Sequence, residues 1–378
     1  MDKRSGWVVG RVAGAPVVLQ PSALVMVGLL TVLFLPTVRA LSPSLGSRAL
    51  VGSFVVVVLL MVSVFLHELA HALVARARGM QVRELALTLW GGHTAFTDTS
   101  ATPFSSALIA AVGPATNLTL ALLAWWGYLA QDGVGFVALL LYVTAYANTA
   151  VGVFNLLPGL PLDGGQVVEA LVWRATGSRL AGTTVAAWTG RVLAVLVVVA
   201  AVALPGLRGQ DANLLMVVWA AFIGSFMWSA ASQTLRAGRV RARAEALDPR
   251  VLARPAVVVD ARGSVADVLA AVGLSAVVRA SADRSVACVL VTDGHPVGYV
   301  DEDALAGVPD AVAASTPAWA VGIGLPPGSL VDAGLRGIGL HSAVVRAAQR
   351  TSVLVVTDGP DVLGLLRVTD VARAMHLD

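Results

Sequence analysis

Charge is scarce in this chain. Only 13% of its 378 residues are Asp, Glu, Lys or Arg, while 57% are hydrophobic and the mean hydropathy is +0.80. That composition belongs to a protein that spends much of its length in a membrane. Cysteine is nearly absent too. With Cys288 alone there is no internal disulfide and no cysteine-rich zinc site, and the residue is expected to pack as a small buried side chain. The net charge of +3 is small and dispersed, so no nucleic-acid partner is expected.

What is present instead is a series of long apolar runs. A spanning helix needs ~20 apolar residues, and six stretches approach that length: Ser22 to Val38, Ala49 to Val74, Phe104 to Ala130, Val134 to Leu157, Val192 to Leu207 and Ala212 to Leu235. The fifth is short. Between Phe104 and Leu162 the only charged residue is Asp132, which splits that stretch into a helical hairpin. The strand-like pattern from Gly6 to Gln20 precedes the first run and is too long for an ordinary signal-peptide leader, so that run reads as a retained helix. One set of connecting segments carries Lys3, Arg4, Arg11, Arg76, Arg78, Arg83, Arg174, Arg179, Arg191, Arg236, Arg239, Arg241 and Arg243; the other carries only Arg39, Arg48 and Arg208. The richer side is expected to be cytoplasmic, which places both termini in the cytoplasm of a multi-pass protein of the cell membrane.

Inside the second run lies the string His67-Glu68-Leu69-Ala70-His71. An ionisable residue in hydrocarbon costs on the order of 3 kcal/mol, so three within five positions need a compensating role. On a helix the two histidines fall on one face a turn apart and can hold one zinc ion, while Glu68 can take a proton from water at that ion. A catalytic zinc normally takes three protein ligands. The candidate for the third is Asp163, in the segment from Asn155 to Gly165, where Pro158 and Pro161 break a hydrophobic helix and Gly164 and Gly165 let the chain turn closely. The competing reading of Asp163 is a cap for the helix that follows. Asn155 either bonds a neighbouring helix or donates to the oxygen that gains charge during amide attack. His93 is the other histidine of this half, a gate or a plain polar contact.

The pair of strings His67 to His71 and Asn155-Leu-Leu-Pro158 through Leu162-Asp163-Gly164 resembles the two signature motifs of site-two proteases, the zinc intramembrane metalloproteases. Gly113-Pro114-Ala-Thr-Asn117 and the pair Gly91-Gly92 also resemble family features, and the likeness covers residues 1–235. It implies one Zn2+ per chain on His67, His71 and Asp163, with Glu68 as base and Asn155 positioning substrate or steadying the oxyanion. It also implies a re-entrant β region over Gln81 to Asp98 and a membrane-spanning protein as substrate within the lipid bilayer. Two other readings stay open: an inactive relative that binds zinc without cutting, and a membrane transporter that uses intramembrane histidines and acids for ions.

Beyond Leu235 the composition changes. A basic, Ala-rich linker over 236–250 precedes an α/β pattern over 251–378. Val289-Leu-Val-Thr-Asp-Gly294 recurs as Leu354-Val-Val-Thr-Asp-Gly359. This resembles a tandem pair of cystathionine-β-synthase-type (CBS) modules, about 251–309 and 314–378. Such pairs bind adenine nucleotides and form homodimers. In the first copy, Gly298-Tyr-Val-Asp301, the hydroxyl and the final acid expected for nucleotide are missing; the second keeps Asp370 but has Arg367 where the hydroxyl should be. Asp370 and Arg367 are therefore the candidate nucleotide residues, set against a purely structural or dimerising role. The expected fold is a polytopic α-helical membrane protein of about six transmembrane helices with a small re-entrant β region, followed by this α/β tandem CBS domain.

Overall fold

The structure, a computed structural model, describes residues 6–12, 14–88, 91–96, 102–131, 135–278 and 286–376. Asp132, Lys3 and Arg4 lie outside these residues. The chain separates into two compact units, Met1–Arg236 and Ala237–Asp378.

The first unit opens with strands β1 (Trp7–Val12) and β2 (Ala15–Leu19), then helices α1 (Pro21–Leu41) and α2 (Ala49–Ala77). Strands β3 (Val82–Thr88) and β4 (Gly91–Phe96) follow, then α3 (Pro103–Leu129), α4 (Phe136–Asn155), α5 (Asp163–Thr176), α6 (Arg179–Leu207) and α7 (Leu214–Glu245). Six of these helices, all but α5, are long and apolar enough to cross a membrane, which fits a multi-pass membrane protein.

The fifth apolar run is longer than its sequence suggests. Its helix starts at Arg179, capped by Ser178, whose hydroxyl accepts from the Ala181 amide at 3.2 Å. The first half escapes a hydropathy reading because it is rich in Thr and Gly. Those threonines are nevertheless at home in a helix: Thr183, Thr184 and Thr189 each return their hydroxyl to the carbonyl four residues back, at 3.1, 2.8 and 2.9 Å. The stretch read as a basic linker also begins as helix, since α7 continues unbroken to Glu245.

Small residues let these helices approach closely. Leu160 packs among Ala186, Ala187, Ala231 and Leu235, and its amide donates to the Ala186 carbonyl at 3.0 Å. This ties the broken segment after α4 to α6. A Cβ on Gly164 would collide with the Leu156 carbonyl, so the turn that delivers Asp163 closes only with glycine there.

The four strands form one sheet in the order β1-β2-β3-β4, with β2 and β3 parallel and the other pairs antiparallel. Ala15, Leu85 and Val82 of this sheet pack on Ala72, Leu69 and Phe65 of α2. Burial of that face holds β4 alongside the His67–His71 turn.

The second unit contains α8 (Pro249–Leu252), β5 (Arg254–Asp260), α9 (Val265–Val278), β6 (Ala287–Thr292), β7 (His295–Val300), α10 (Glu302–Ala306), α11 (Asp310–Ala313), β8 (Gly322–Gly324), β9 (Leu330–Asp332), α12 (Gly337–Ala347), β10 (Val353–Asp358), β11 (Asp361–Arg367) and α13 (Val368–His376). A strand, helix, two antiparallel strands and a helix occur twice in succession. In each copy the first strand runs parallel to the second: β5 with β6, and β9 with β10. All seven strands share one sheet, ordered β8-β7-β6-β5-β11-β10-β9. Cys288 is buried within the core of the first copy, where burial pushes its thiol up to about 11.

Candidate metal centre

Helix α2 brings His67 and His71 to one face, about 15 Å and about 9 Å from its C-terminal end. Helix α5 begins at Asp163 and aims that carboxylate at the same point. All three side chains are buried. Asp163 Oδ2 lies 3.1 Å from His67 Nε2 and 3.5 Å from His71 Nε2, and the two Nε2 atoms are 3.1 Å apart. The three candidate ligand atoms thus fall within 4.8 Å of one another.

The opposite edge of each ring decides what these atoms can hold. His67 Nδ1 lies 2.5 Å from Asn117 Oδ1, and His71 Nδ1 lies 2.6 Å from the Ile109 carbonyl. Both partners accept, because Asn117 spends its NH2 on Asn148 Oδ1 at 2.8 Å. Each ring therefore carries its proton on Nδ1 and turns a bare Nε2 inward. Asp163 Oδ2 is correspondingly buried without a hydrogen bond, although two ring nitrogens lie beside it. Three inward lone pairs with no proton among them repel one another unless a cation lies between them. Two imidazoles and one carboxylate make a donor set suited to zinc, so the residues fit the ion that their motif implies. As for the competing reading of Asp163, its helix is preceded by Leu162 with no side-chain cap bond, so the carboxylate points to the histidines rather than to the helix end.

Glu68 lines the same cleft, and Thr94 of β4 donates to its Oε2 at 2.8 Å. The cleft is about 460 Å3 and is also lined by Gly92, His93, Asn155, Pro161 and Phe226. Among the described residues no hydrogen bond engages the Asn155 amide. His93 is exposed on β4, opposite Ala86, and stands outside the His67, His71 and Asp163 cluster. Gly113 of α3 forms the floor: a Cβ there would strike the rings of His71 and His67.

Behind the cluster, two polar residues that carry no motif of their own, Asn148 and Ser63, continue from Asn117. Asn148 of α4 accepts from Asn117 and donates to Ser63 Oγ at 3.0 Å. Ser63 in turn donates to the Leu59 carbonyl at 3.0 Å. This buried line from α2 through α4 to α3 ends on His67. Asn117 stood in the string Gly113 to Asn117 without an assigned role; Asn148 and Thr94 had no signal except polarity within apolar or strand sequence.

In the second unit a cleft of about 530 Å3 is lined by Arg254, Asp301, Glu302, Arg367 and Thr369, among others. Arg254 pairs with Glu302 at 3.0 Å. Arg367 faces this cleft, whereas Asp370 lies in the first turn of α13 and pairs with Arg373 at 3.3 Å.

Comparison with known proteins bears on the first unit. Residues 55–138 and 133–200 match the family model described as peptidase family M50. A Mycobacterium tuberculosis protein named "Putative zinc metalloprotease Rip3" is 41% identical over 181 residues, 47% of this chain and 44% of that protein. A Synechocystis protein named "Putative zinc metalloprotease sll0528" is 32% identical over 242 residues, 63% of this chain and 62% of its own length. The solved site-2 protease from Methanocaldococcus jannaschii is 23% identical, with a TM-score of 0.40 over 61% of this chain and 95% of that one. The matched regions span about half of the length of the curated relatives. Over residues 55–200 the first unit is thus similar to peptidase family M50, and its relatives are proteins named as zinc metalloproteases.

Proposed function

We propose that this protein is an intramembrane zinc metalloprotease that hydrolyses peptide bonds in or near membrane-spanning segments of other proteins. The observation that carries this reading is the convergence of His67 Nε2, His71 Nε2 and Asp163 Oδ2 on one point beside Glu68, within a helix suited to a membrane. Zinc held by these three ligands would supply Lewis acidity toward water and the scissile carbonyl. Glu68, held at Oε2 by Thr94, accepts the proton of the attacking water and returns it to the leaving amine. Asn155, whose amide is unengaged on the cleft wall, donates to the oxygen that gains charge. Asn117 and the Ile109 carbonyl hold the two imidazoles in the tautomer that ligation needs. A substrate helix must unwind locally to offer its carbonyl, so helix-weakening residues near the cleaved bond favour the reaction.

Both termini are read as cytoplasmic, from the bias of arginine toward one set of connecting segments. The second unit is read as a CBS pair acting as a regulatory or dimerising module; its twofold order of elements supports that reading, and Arg367 of its cleft suits the phosphate of a nucleotide, whereas Arg254 is already paired with Glu302.

The test is zinc per chain in full-length, detergent-purified protein, followed by cleavage of membrane substrates. About one zinc per chain is expected, lost in His71→Ala and in Asp163→Ala. Glu68→Gln should keep the metal and stop cleavage. A Glu68→Gln variant that still cuts would refute the base; native protein that never takes up zinc would turn the account toward a transporter.

A further inference from the structure

Where α6 meets α7, one arginine lies between two tryptophans on the outer face of the first unit. The Arg191 guanidinium carbon is 4.7 Å from the Trp188 ring centroid and 5.2 Å from that of Trp228. Its Nη2 donates to Ser232 Oγ at 2.9 Å. Its Nε is buried with no hydrogen-bond partner, and among the described residues no carboxylate pairs with it. A guanidinium has five N–H donors in a fixed fork, so most of its donor capacity is unspent. Arg179, at the start of the same helix, shows the contrast, since Glu169 pairs with it at 3.2 Å.

The level of this arginine along the helix is equally informative. Arg191 stands at the junction between the Thr- and Gly-bearing first half of α6 and the apolar run from Val192 to Leu207. That run is ~24 Å long at helical rise, close to the thickness of a hydrocarbon core. Helix α7 passes the same level in the opposite direction through Trp228 and Ser232, then becomes basic at Arg236 and Arg239. Tryptophans at the edge of an apolar run mark the membrane interface, which is the depth of lipid phosphates. Both rings are about half exposed, as are Val192, Val195 and Leu196 below them, and together these residues line an apolar groove of about 200 Å3.

We propose that this clamp is a binding site for an anionic phospholipid, with the headgroup phosphate on Arg191 and an acyl chain in the groove of Val192, Val195 and Leu196. An apolar helix laid here, from a substrate or a second copy, would leave the guanidinium unpaired at a lipid-facing surface, which is costly. A phosphate pairs with it in the fork geometry that arginine favours, while the stacked tryptophans hold the guanidinium plane in place. A zwitterionic lipid brings a cationic group to the same place and is the poorer match. None of the residues of this clamp lines the metal cleft.

The experiment is native mass spectrometry of delipidated, full-length protein in detergent, with phosphatidylglycerol and phosphatidylcholine of identical acyl chains. Phosphatidylglycerol should be bound in about five-fold preference, the order expected for one arginine at a membrane surface. Arg191→Gln should abolish the preference. Trp228→Leu should weaken it, and serves as the deciding variant if Arg191→Gln loses its helical circular dichroism. An equal preference in native protein and in whichever of these variants stays folded would overturn the proposal. So would displacement of the lipid by millimolar inorganic phosphate, which would make the site one for free anions.

Discussion

Thr94 donates its hydroxyl to Glu68 Oε2 at 2.8 Å, across the junction between the edge strand β4 and the metal-binding turn of α2. The same hydroxyl lies 3.1 Å from the Glu68 carbonyl. Glu68 is thus aimed by a residue far from it in sequence, on a strand held against α2 by Ala15, Ala72 and Leu85. A hydrogen bond to a charged group contributes ~1.5–3 kcal/mol. Thr94→Val is therefore expected to lower kcat by roughly 10- to 100-fold while zinc content is unchanged, and Thr94→Ser to restore most of the rate. Equal rates in native protein and Thr94→Val would show that Glu68 needs no aiming.

The line from Ser63 through Asn148 and Asn117 to His67 makes a different prediction, because it acts on the ligand rather than on the base. Partners that fix a ligating imidazole are typically worth 10- to 100-fold in metal affinity. Asn117→Leu should weaken zinc by about that factor, and Asn148→Ala should do so by less, since Asn117 would keep one of its two contacts. Chelator competition on the full-length variants reads both. Unchanged affinity in Asn117→Leu would mean that helix packing alone sets the ring.

Gly113 provides a steric test. A methyl group there would press on the rings of both histidines. Gly→Ala within a helix normally gains ~0.5–1 kcal/mol, so α3 itself should tolerate the change. Gly113→Ala is expected to keep its helical circular dichroism and lose its zinc. Full zinc occupancy would show that the rings can shift to make room.

The metal site was legible because ionisable residues stand out against apolar sequence: His67, Glu68 and His71 interrupt one run, and Asp163 follows another, broken by prolines. Their partners were harder to read. Asn148 is one polar residue in an apolar helix, and its meaning depends on how α2, α3 and α4 cross. Thr94 matters only through the β3–β4 pairing and the packing of that sheet on α2, in which residues as distant as Ala15 take part. The start of α6 was obscured because threonines that bond their own backbone look polar to a hydropathy count. Arg191 counted only as one positive charge among many; its two tryptophans, one of them on the next helix, came together through folding.

The second unit carries a pH dependence that can be assigned to one residue. Asp267 Oδ2 accepts from the Ser264 amide at 2.8 Å and from its hydroxyl at 2.9 Å, and the Asp267 amide returns a bond to Ser264 Oγ at 3.3 Å. This reciprocal pair closes the first turn of α9. The bonds from Ser264 hold the Asp267 carboxyl below the usual carboxylate range. A depressed value means that the ionised form is favoured in the folded unit. Its stabilising contribution is therefore present above the ordinary carboxylate pKa of ~4 and is lost as pH falls through the lowered folded value. Asp267→Asn should speed hydrogen exchange in the first turn of α9 at pH 6, after correction for intrinsic rates, and the difference between native and variant proteins should shrink as pH falls below the ordinary carboxylate pKa of ~4. Exchange that is equal at pH 6 would show that the turn is held by its packing against the rest of the first copy rather than by this carboxylate.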